Sequence, residues 1–408
     1  MVKGSRVVIT GLGVISSIGI GKDAFWKNLL QGVSGISKVQ RFNTSQYGIN
    51  IGGEIKDFDP ARFFDHTSIK RLGRAAQLAI AACQLALDDA RLSRTQLSGS
   101  VTSVCLGTTM ADAQSLETIV DEVISTGKYR RQTVRANSMQ YPSFMIVTRI
   151  AEALGITGRV FMIPTACAAG NYAISYGNDL IKLGKCDVVL VGGADPFSRT
   201  AFTGFGRIFA LAPERCQPFD KNRKGIVVGE GAGVLVLESV THAQSRKARI
   251  YAEIAGYGMS ADASHMTAPD VAGITNAMKR ALSDAGVSPG EIDYISAHGT
   301  GTSVNDRVEC AAIRNVFGER ASSVPVSSIK SMLGHTMGAA SALEAITCVM
   351  GIHTDSIPPT INYETPDPEC QIDCVPNQAR HTKVSYCLNN SFAFGGNNCC
   401  VVFKKFKE

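Results

Sequence analysis

Apolar runs of strand length alternate with amphipathic stretches of helical spacing along the whole chain. Residues 6–14 (RVVITGLGV) and 101–109 (VTSVCLGTT) read as strands, and 68–92 (SIKRLGRAAQLAIAACQLALDDARL) repeats apolar positions at three- and four-residue intervals, predicting one long helix. VFMIPTAC, a helix over about 168–183, and CDVVLVGGAD follow; the last is a continuous apolar strand of the kind covered on both faces. From residue 250 the grammar returns as strand IYAEIAGYG, helix ITNAMKRALSDAG closed by Gly286, strand IDYISAHGT, strand VPVSSIK, then a turn and a helix between Gly334 and Gly351. The pattern predicts an α/β fold.

Two segments match more closely than grammar requires. VFMIPTACAAGNYAISYGNDLI and VPVSSIKSMLGHTMGAASALEAI both pass from a strand through a polar turn into a helix of small residues, which suggests a duplicated half. The composition weakens between 240 and 250, in LESVTHAQSRKARI, so the halves are expected at 1–247 and 248–408. The proline-bearing stretch 353–380 reads as a loop region.

The 408 residues are 45% hydrophobic and 19% charged, which excludes a disordered or fibrous chain. A formal charge of +6 without any long run of like charge argues against nucleic acid and leaves room for a basic patch facing an acidic protein. No run reaches the roughly 18 apolar residues of a membrane span, and the N-terminus lacks a cleavage site, so no membrane association is expected. Twelve irregularly spaced cysteines point to reduced thiols and a cytoplasmic setting. Cys370 and Cys374 have no second ligand pair at finger-like spacing, and no metal site is expected there.

The glycines of GLGVISSIGIG invite a dinucleotide reading, but the third glycine of that fingerprint falls on Ser16 and no acidic residue follows about 20 positions on. They read as a tight strand-to-loop turn. Cys167, between VFMIPTA and Ala168, Ala169 and Gly170, stands where a sharp strand-to-helix turn exposes a side chain. There a helix N-terminus favours a thiolate and offers N–H groups to an oxyanion; a buried structural thiol is the alternative. Only seven histidines occur, and His298 (YISAHGTGTSVND) and His335 (SSIKSMLGHTMGAA) share strand-to-turn contexts rich in small residues. Lys330 at a strand end suits a carboxylate such as Glu309, or plain exposure; Phe394 before Gly395 and Gly396 marks a movable ring or a bulge.

Through VVITGLGV, TACAAG, PFDKNRKGIVVGEGAG, GMSADASHMTAP, AHGTGTSVND, SSIKSMLGHTMGAA and NNSFAFGGNN, in order and nearly end to end, the chain resembles the β-ketoacyl-acyl-carrier-protein synthases of the thiolase superfamily, especially the elongating type II branch. The resemblance implies a thiolase-like five-layer α-β-α-β-α fold of pseudo-duplicated halves, normally dimeric, with Cys167, His298 and His335 as catalytic triad. It implies a decarboxylative condensation of malonyl-acyl-carrier protein with an acyl group held on Cys167, giving 3-ketoacyl-carrier protein and CO2. No cofactor of its own is implied, since phosphopantetheine on the carrier presents the substrates. By the same resemblance Cys167 and Phe394 N–H groups form the oxyanion hole, the Phe394 ring gates access, Thr300 and Thr302 touch the pantetheine arm, and Lys330 with Glu309 support the histidines. Met110 aligns with the far end of the acyl pocket, and Lys70, Arg71, Arg130, Arg131 and Arg207 are docking positions for the acidic carrier.

Paired histidines fit the elongating branch rather than the branch primed from acyl-CoA, and Cys387, Cys399 and Cys400 lack the setting of a thiolase's second cysteine. Cys167 itself separates the chain from a chain-length-factor subunit. Departures are Ala393 and Asn397, in the tail where the family elongation enzyme usually carries a Thr and a Gly, and the position of Arg207. A ketosynthase subunit of a type II polyketide or polyene pathway, working with a chain-length-factor partner, is the alternative; a silent scaffold and a plain acyltransferase are two others.

Overall fold

The computed structural model describes residues 5–99 and 101–408. Strand β1 (Val7–Ser16), buried throughout, lies near the middle of one long mixed sheet. It is joined in the first half by β2 (Thr102–Gly107), β3 (Val160–Ile163), β4 (Val188–Asp195) and β5 (Gly231–Ser239), in spatial order β3-β2-β4-β5-β1. The strands β3, β2 and β4 run parallel, and β5 is antiparallel to both β4 and β1. The second half supplies β6 (Ala252–Ala261), β7 (Tyr294–Ser296), β8 (Val326–Ser327), β9 (Tyr386–Phe392) and β10 (Asn397–Lys404), in order β8-β7-β9-β10-β6. Its parallel and antiparallel pairings are the same, step for step. Two rungs, Val8 with Glu253 and Ile9 with Ala252, join β1 to β6 and merge the sheets.

Nine of the helices among the described residues are α1 (Arg74–Ala90), α2 (Ala113–Thr126), α3 (Arg131–Ser138), α4 (Phe144–Leu154), α5 (Ala169–Lys182), α6 (Arg199–Arg207), α7 (Val271–Ala285), α8 (Ser303–Phe317) and α9 (Ala340–Thr354). Helices α1 and α4 cover the first sheet, α7 and α8 cover the second, and α5 and α9 lie between the two. These are the five layers of a thiolase-like fold. Strand alternation decides the layer each side chain joins: Val188 and Leu190 face α1 and α4, whereas Val189 and Val191 face the central helices. Every residue of α9 from Ala340 to Ile352 is buried, and a helix whose residues are mostly apolar on every side requires cover on all sides.

Four local expectations change. Gly11 and Gly13 lie within β1 rather than in a turn, and a Cβ there would stand 2.2 Å from the Ala86 carbonyl oxygen and 1.9 Å from that of Ala82, so the glycines admit α1. The predicted helix over 68–92 breaks at Leu72 and Gly73, where a Cβ on Gly73 would strike the Asp112 carboxylate. In VPVSSIK only Val326–Ser327 pair as a strand, because Lys330 already begins a single helical turn, Lys330–Leu333. The strand expected over 250–258 runs Ala252–Ala261.

Candidate active site

Strand β3 ends at Ile163 and α5 starts at Ala169, so the chain turns within five residues. Ala166 takes a left-handed φ of 50°, which costs about 1 kcal/mol or more in a residue with a Cβ, and Ala166–Ala168 form one 3-10 turn with Cys167 at its apex. The Cys167 carbonyl accepts hydroxyls from Ser341 (3.2 Å) and Ser391 (3.1 Å), so the second half anchors the turn. A Cβ on Gly170 would meet the Ala342 nitrogen at 2.7 Å, and that glycine lets α5 and α9 approach.

The structure brings Cys167, His298 and His335 together: Sγ and one ring nitrogen of each histidine lie within 4.8 Å of one another. The imidazoles are edge to face at 5.5 Å between centroids. His335 Nδ1 accepts from the Met337 N–H (3.1 Å), and His298 Nδ1 faces the Lys330 ammonium at 3.4 Å. With both Nδ1 atoms engaged as acceptors, each neutral ring carries its proton on Nε2. Burial, then the Lys330 charge, pulls both histidines well below their ordinary pKa, His335 adding to the effect on His298, so both are neutral at pH 7.

Lys330 is fully buried and donates to the His298 carbonyl (2.6 Å) and to the Glu344 carboxylate. This corrects two expectations: Lys330 is not at the surface, and its ion-pair partner is Glu344 rather than Glu309. Glu309 instead accepts the backbone N–H groups of His298 (2.9 Å) and Gly299 (2.7 Å), fixing the loop that carries the histidine. Burial raises both carboxylates to about 7, against which Lys330 and, for Glu309, the two N–H groups pull downwards.

Burial also overrides the thiolate expected at the helix N-terminus. It pushes the Cys167 thiol up to about 12, and Lys330 recovers only part of that. The three clustered atoms are of metal-ligating types, but the Lys330 ammonium against His298 opposes a cation there.

A cavity of about 320 Å3 opens above Cys167, with His298 and His335 at its floor. Thr300 and Thr302, whose hydroxyls share a 2.9 Å hydrogen bond, line one wall, and Phe392 and Phe394 another. Phe394 is half exposed, its ring 5.7 Å from that of Phe205. Met110 is not among the residues lining this cavity; its N–H is held by Asp195 (2.9 Å). Lys70, Arg71, Arg130, Arg131 and Arg207 are all exposed, none of them in the cavity wall.

Sequence reasoning missed three groups. Glu344 is an acidic residue inside an otherwise apolar helix, which was the available signal. Asp195 ends the apolar strand β4 and gathers Thr108 Oγ1 and the N–H groups of Thr109, Met110 and Gly338 at 2.6–2.9 Å. Arg223, in PFDKNRKG, is buried and donates to the Thr302 (3.1 Å) and Ser303 (3.2 Å) carbonyls and to Asp367, holding the threonine loop.

An α-β-α-β-α duplication with a cysteine elbow facing two neutral histidines defines a condensing-enzyme scaffold. The family models "Beta-ketoacyl synthase, N-terminal domain" and "Beta-ketoacyl synthase, C-terminal domain" match residues 4–243 and 251–364, and the chain belongs to the beta-ketoacyl synthase family. It is 39% identical over 415 residues, all of both chains, to 3-oxoacyl-[acyl-carrier-protein] synthase 2 of Staphylococcus aureus (strain COL), and 39% identical to that of Synechocystis sp. over 98% of each chain. A structure of the ishigamide ketosynthase/chain length factor shares 43% identity at a TM-score of 0.96, covering 99% of this chain and 100% of that one. A type II PKS ketosynthase in complex with its acyl-carrier protein, bound to the hexaketide, shares 33% at 0.91 with the same coverage.

Proposed function

We propose that the chain catalyses decarboxylative Claisen condensation of malonyl-acyl-carrier protein with an acyl group on Cys167, giving 3-ketoacyl-acyl-carrier protein and CO2 in fatty acid elongation. The observation that carries this reading is the pair of neutral imidazoles, each with Nδ1 occupied, beside the elbow thiol. Transfer of the acyl group from its carrier thioester to Sγ forms a new thioester and releases the carrier thiol. In the second step the malonyl C–C bond to the carboxylate breaks and CO2 leaves. The electron pair passes to the thioester oxygen, where two Nε2–H groups donate to the enolate. The enolate carbon then attacks the acyl-Cys167 carbonyl, and the tetrahedral oxyanion takes the N–H groups of Cys167 and Phe394; its collapse breaks the C–Sγ bond, releasing 3-ketoacyl-carrier protein and a Cys167 thiolate that takes up a proton. Among the described residues the Phe394 N–H has no other acceptor, which supports that role.

Lys330 and Glu309 act as positioning residues for His298, and Thr300 and Thr302 line the path of the pantetheine arm. The scheme needs no resident cofactor, since the carrier's phosphopantetheine presents both thioesters. The relatives' names support a carrier-protein partner and, with the twelve unpaired, buried cysteines, a cytoplasmic setting; no described helix is long and apolar enough to cross a membrane. We place the boundary of the halves at 1–247 and 248–408, just after the short helix Val240–Ser245.

A second reading, a ketosynthase subunit of a type II polyketide or polyene pathway, is favoured by the ishigamide likeness and by an uncovered apolar surface. Leu116, Val120 and Ile124 on one face of α2, with Phe144 and the edge strand β3 bearing Phe161, are exposed and suit a second subunit, either a copy or a chain-length-factor-like chain. Mass spectrometry of carrier-bound products after incubation with acyl- and malonyl-carrier protein tests both readings. A two-carbon extension by the purified chain alone supports elongation; acyl-Cys167 without extension, rescued by a partner subunit, supports the second.

A further inference from the structure

Helix α5 carries a polar line into the core. Cys167, Asn171 and Ser175 recur every four residues, so they follow one side of the helix and the turn ahead of it, and all three are buried. That side meets the second half. Asn171, one helical turn beyond the nucleophile, is bonded at both polar atoms of its side chain. Its Nδ2 donates to the Asn389 (3.2 Å) and Cys399 (3.0 Å) carbonyls, its Oδ1 accepts from Asn389 Nδ2 (2.8 Å), and its backbone N–H donates to Ser341 Oγ (3.0 Å). Asn389 closes a ring by donating to the Ser341 carbonyl (2.9 Å), and Ser175 continues the line with a 3.6 Å contact to Cys399 Sγ. The ring therefore joins α5 to α9, β9 and β10. It reaches the elbow twice: Ser341 Oγ passes its bond on to the Cys167 carbonyl, and Ser391, on the same face of β9 as Asn389, holds that carbonyl too.

Burying two amides between apolar layers is unfavourable unless both are paired, and a paired set holds one register, because a slip leaves its members without partners. Register matters here because the oxyanion hole is divided between the halves. The Cys167 N–H belongs to the turn ahead of α5, and the Phe394 N–H to the segment that follows β9 beyond Phe392. We propose that Asn171 and Asn389 are positioning residues for this hole, a side-chain clasp across the seam that sets the Cys167 N–H against the Phe394 N–H. The inference rests on the condensing-enzyme reading above. Neither amide lines the substrate cavity. Asn171 acts through Ser341 on the Cys167 carbonyl, and Asn389 through the strand that runs on to Phe394. Donors to an oxyanion must lie about 2.7–3.1 Å from the oxygen, so a shift of about 1 Å between the halves disengages one of them.

The test compares two reactions of the same thiol. Transfer from octanoyl-pantetheine forms the Sγ–C bond, breaks the C–S bond to pantetheine and passes the Cys167 proton to the departing thiolate, through a tetrahedral oxyanion that needs the hole. Alkylation by iodoacetamide forms an Sγ–C bond, expels iodide and gives the proton to solvent, with no oxyanion. Both are read at Cys167 by mass spectrometry. Asn171→Ala and Asn389→Ala are each expected to lower the saturated rate of octanoyl transfer about tenfold or more, with KM and the alkylation rate each changed less than about threefold. The double variant is expected to match the slower single variant within about threefold, because the two amides form one clasp. Asn171→Ser and Asn389→Ser, which keep a hydroxyl, replace any alanine variant whose circular dichroism shows that it does not fold. Octanoyl transfer within about threefold of wild type in a folded variant, equal losses in the two reactions, or losses that multiply in the double variant would overturn the positioning role and leave the condensing reading intact. A wild-type chain alkylated at Cys167 yet acylated by neither octanoyl-pantetheine nor octanoyl-loaded carrier protein would overturn that reading as well.

Discussion

The two halves share strand order, pairing directions and a helix-opening elbow, yet the elbows carry different chemistry. Thr165, Ala166 and Cys167 in the first correspond to Thr336, Met337 and Gly338 in the second: each set has a left-handed second residue (φ 50° and 53°), one 3-10 turn and a long helix beginning at Ala169 or Ala340. The first apex faces the cavity and bears the thiol. The second faces inward, where a Cβ on Gly338 would lie 2.6 Å from Thr108 and 2.7 Å from the Asp195 carboxylate. One backbone device therefore serves as a nucleophile mount in one copy and as a packing joint in the other. The second half makes its contribution from flanking positions, His335 before its elbow and Glu344 after it, together with Lys330 and the His298 loop. Duplicated geometry does not imply duplicated function, because function follows what each apex faces.

The comparison breaks most sharply at the first apex. Cys167→Ala is expected to reduce extended product about 10^4-fold or more, measured by product mass spectrometry, whereas Gly338→Cys in that background restores none of it. Next is the buried ion pair of the second half. Lys330→Met leaves Glu344 uncompensated and is expected to cost about 3–5 kcal/mol in urea unfolding, with Glu344→Gln in the same chain returning part of the loss. The sign with pH follows from Glu344, which burial raises to about 7 even while Lys330 pulls it down: without Lys330 its protonated form is favoured further, so the loss in Lys330→Met grows as pH rises above 7 and shrinks as pH falls back towards 7. Smaller again, Gly338→Ala is expected to cost about 1–3 kcal/mol by overpacking, against less than about 1 for Cys167→Ala, read as shifts in thermal midpoint. Finally, a Cys167 thiol at about 12 is un-ionised at neutral pH, so its alkylation by iodoacetamide is expected to rise about tenfold per unit from pH 7 to 10 without a plateau.

Much of this was legible along the chain. The strand and helix grammar gave both halves, because buried strands and amphipathic helices have periods that survive in sequence. Cys167 stood out because small residues crowd its turn, and His298 and His335 because their contexts match. What escaped was set by distance in three dimensions. Lys330 had acidic candidates on either side, and only the packing of α9 against the histidine loop selects Glu344, 14 residues on, over Glu309. The glycines of β1 look like a turn until α1 is laid across them. Asp195 and Arg223 act on backbone groups, which have no sequence signature at all.

The anchoring of the elbow by Ser341 and Ser391 bears on how the chain emerges during synthesis. Both hydroxyls that hold the Cys167 carbonyl, and the helix α9 that covers the inner face of α5, lie well after residue 248. The first half therefore leaves the ribosome with its apolar inner face uncovered and its nucleophile unset, and α9 and β9 complete both only near the end of translation. The reactive thiol is among the earlier parts of the site to be made and among the last to be put in order.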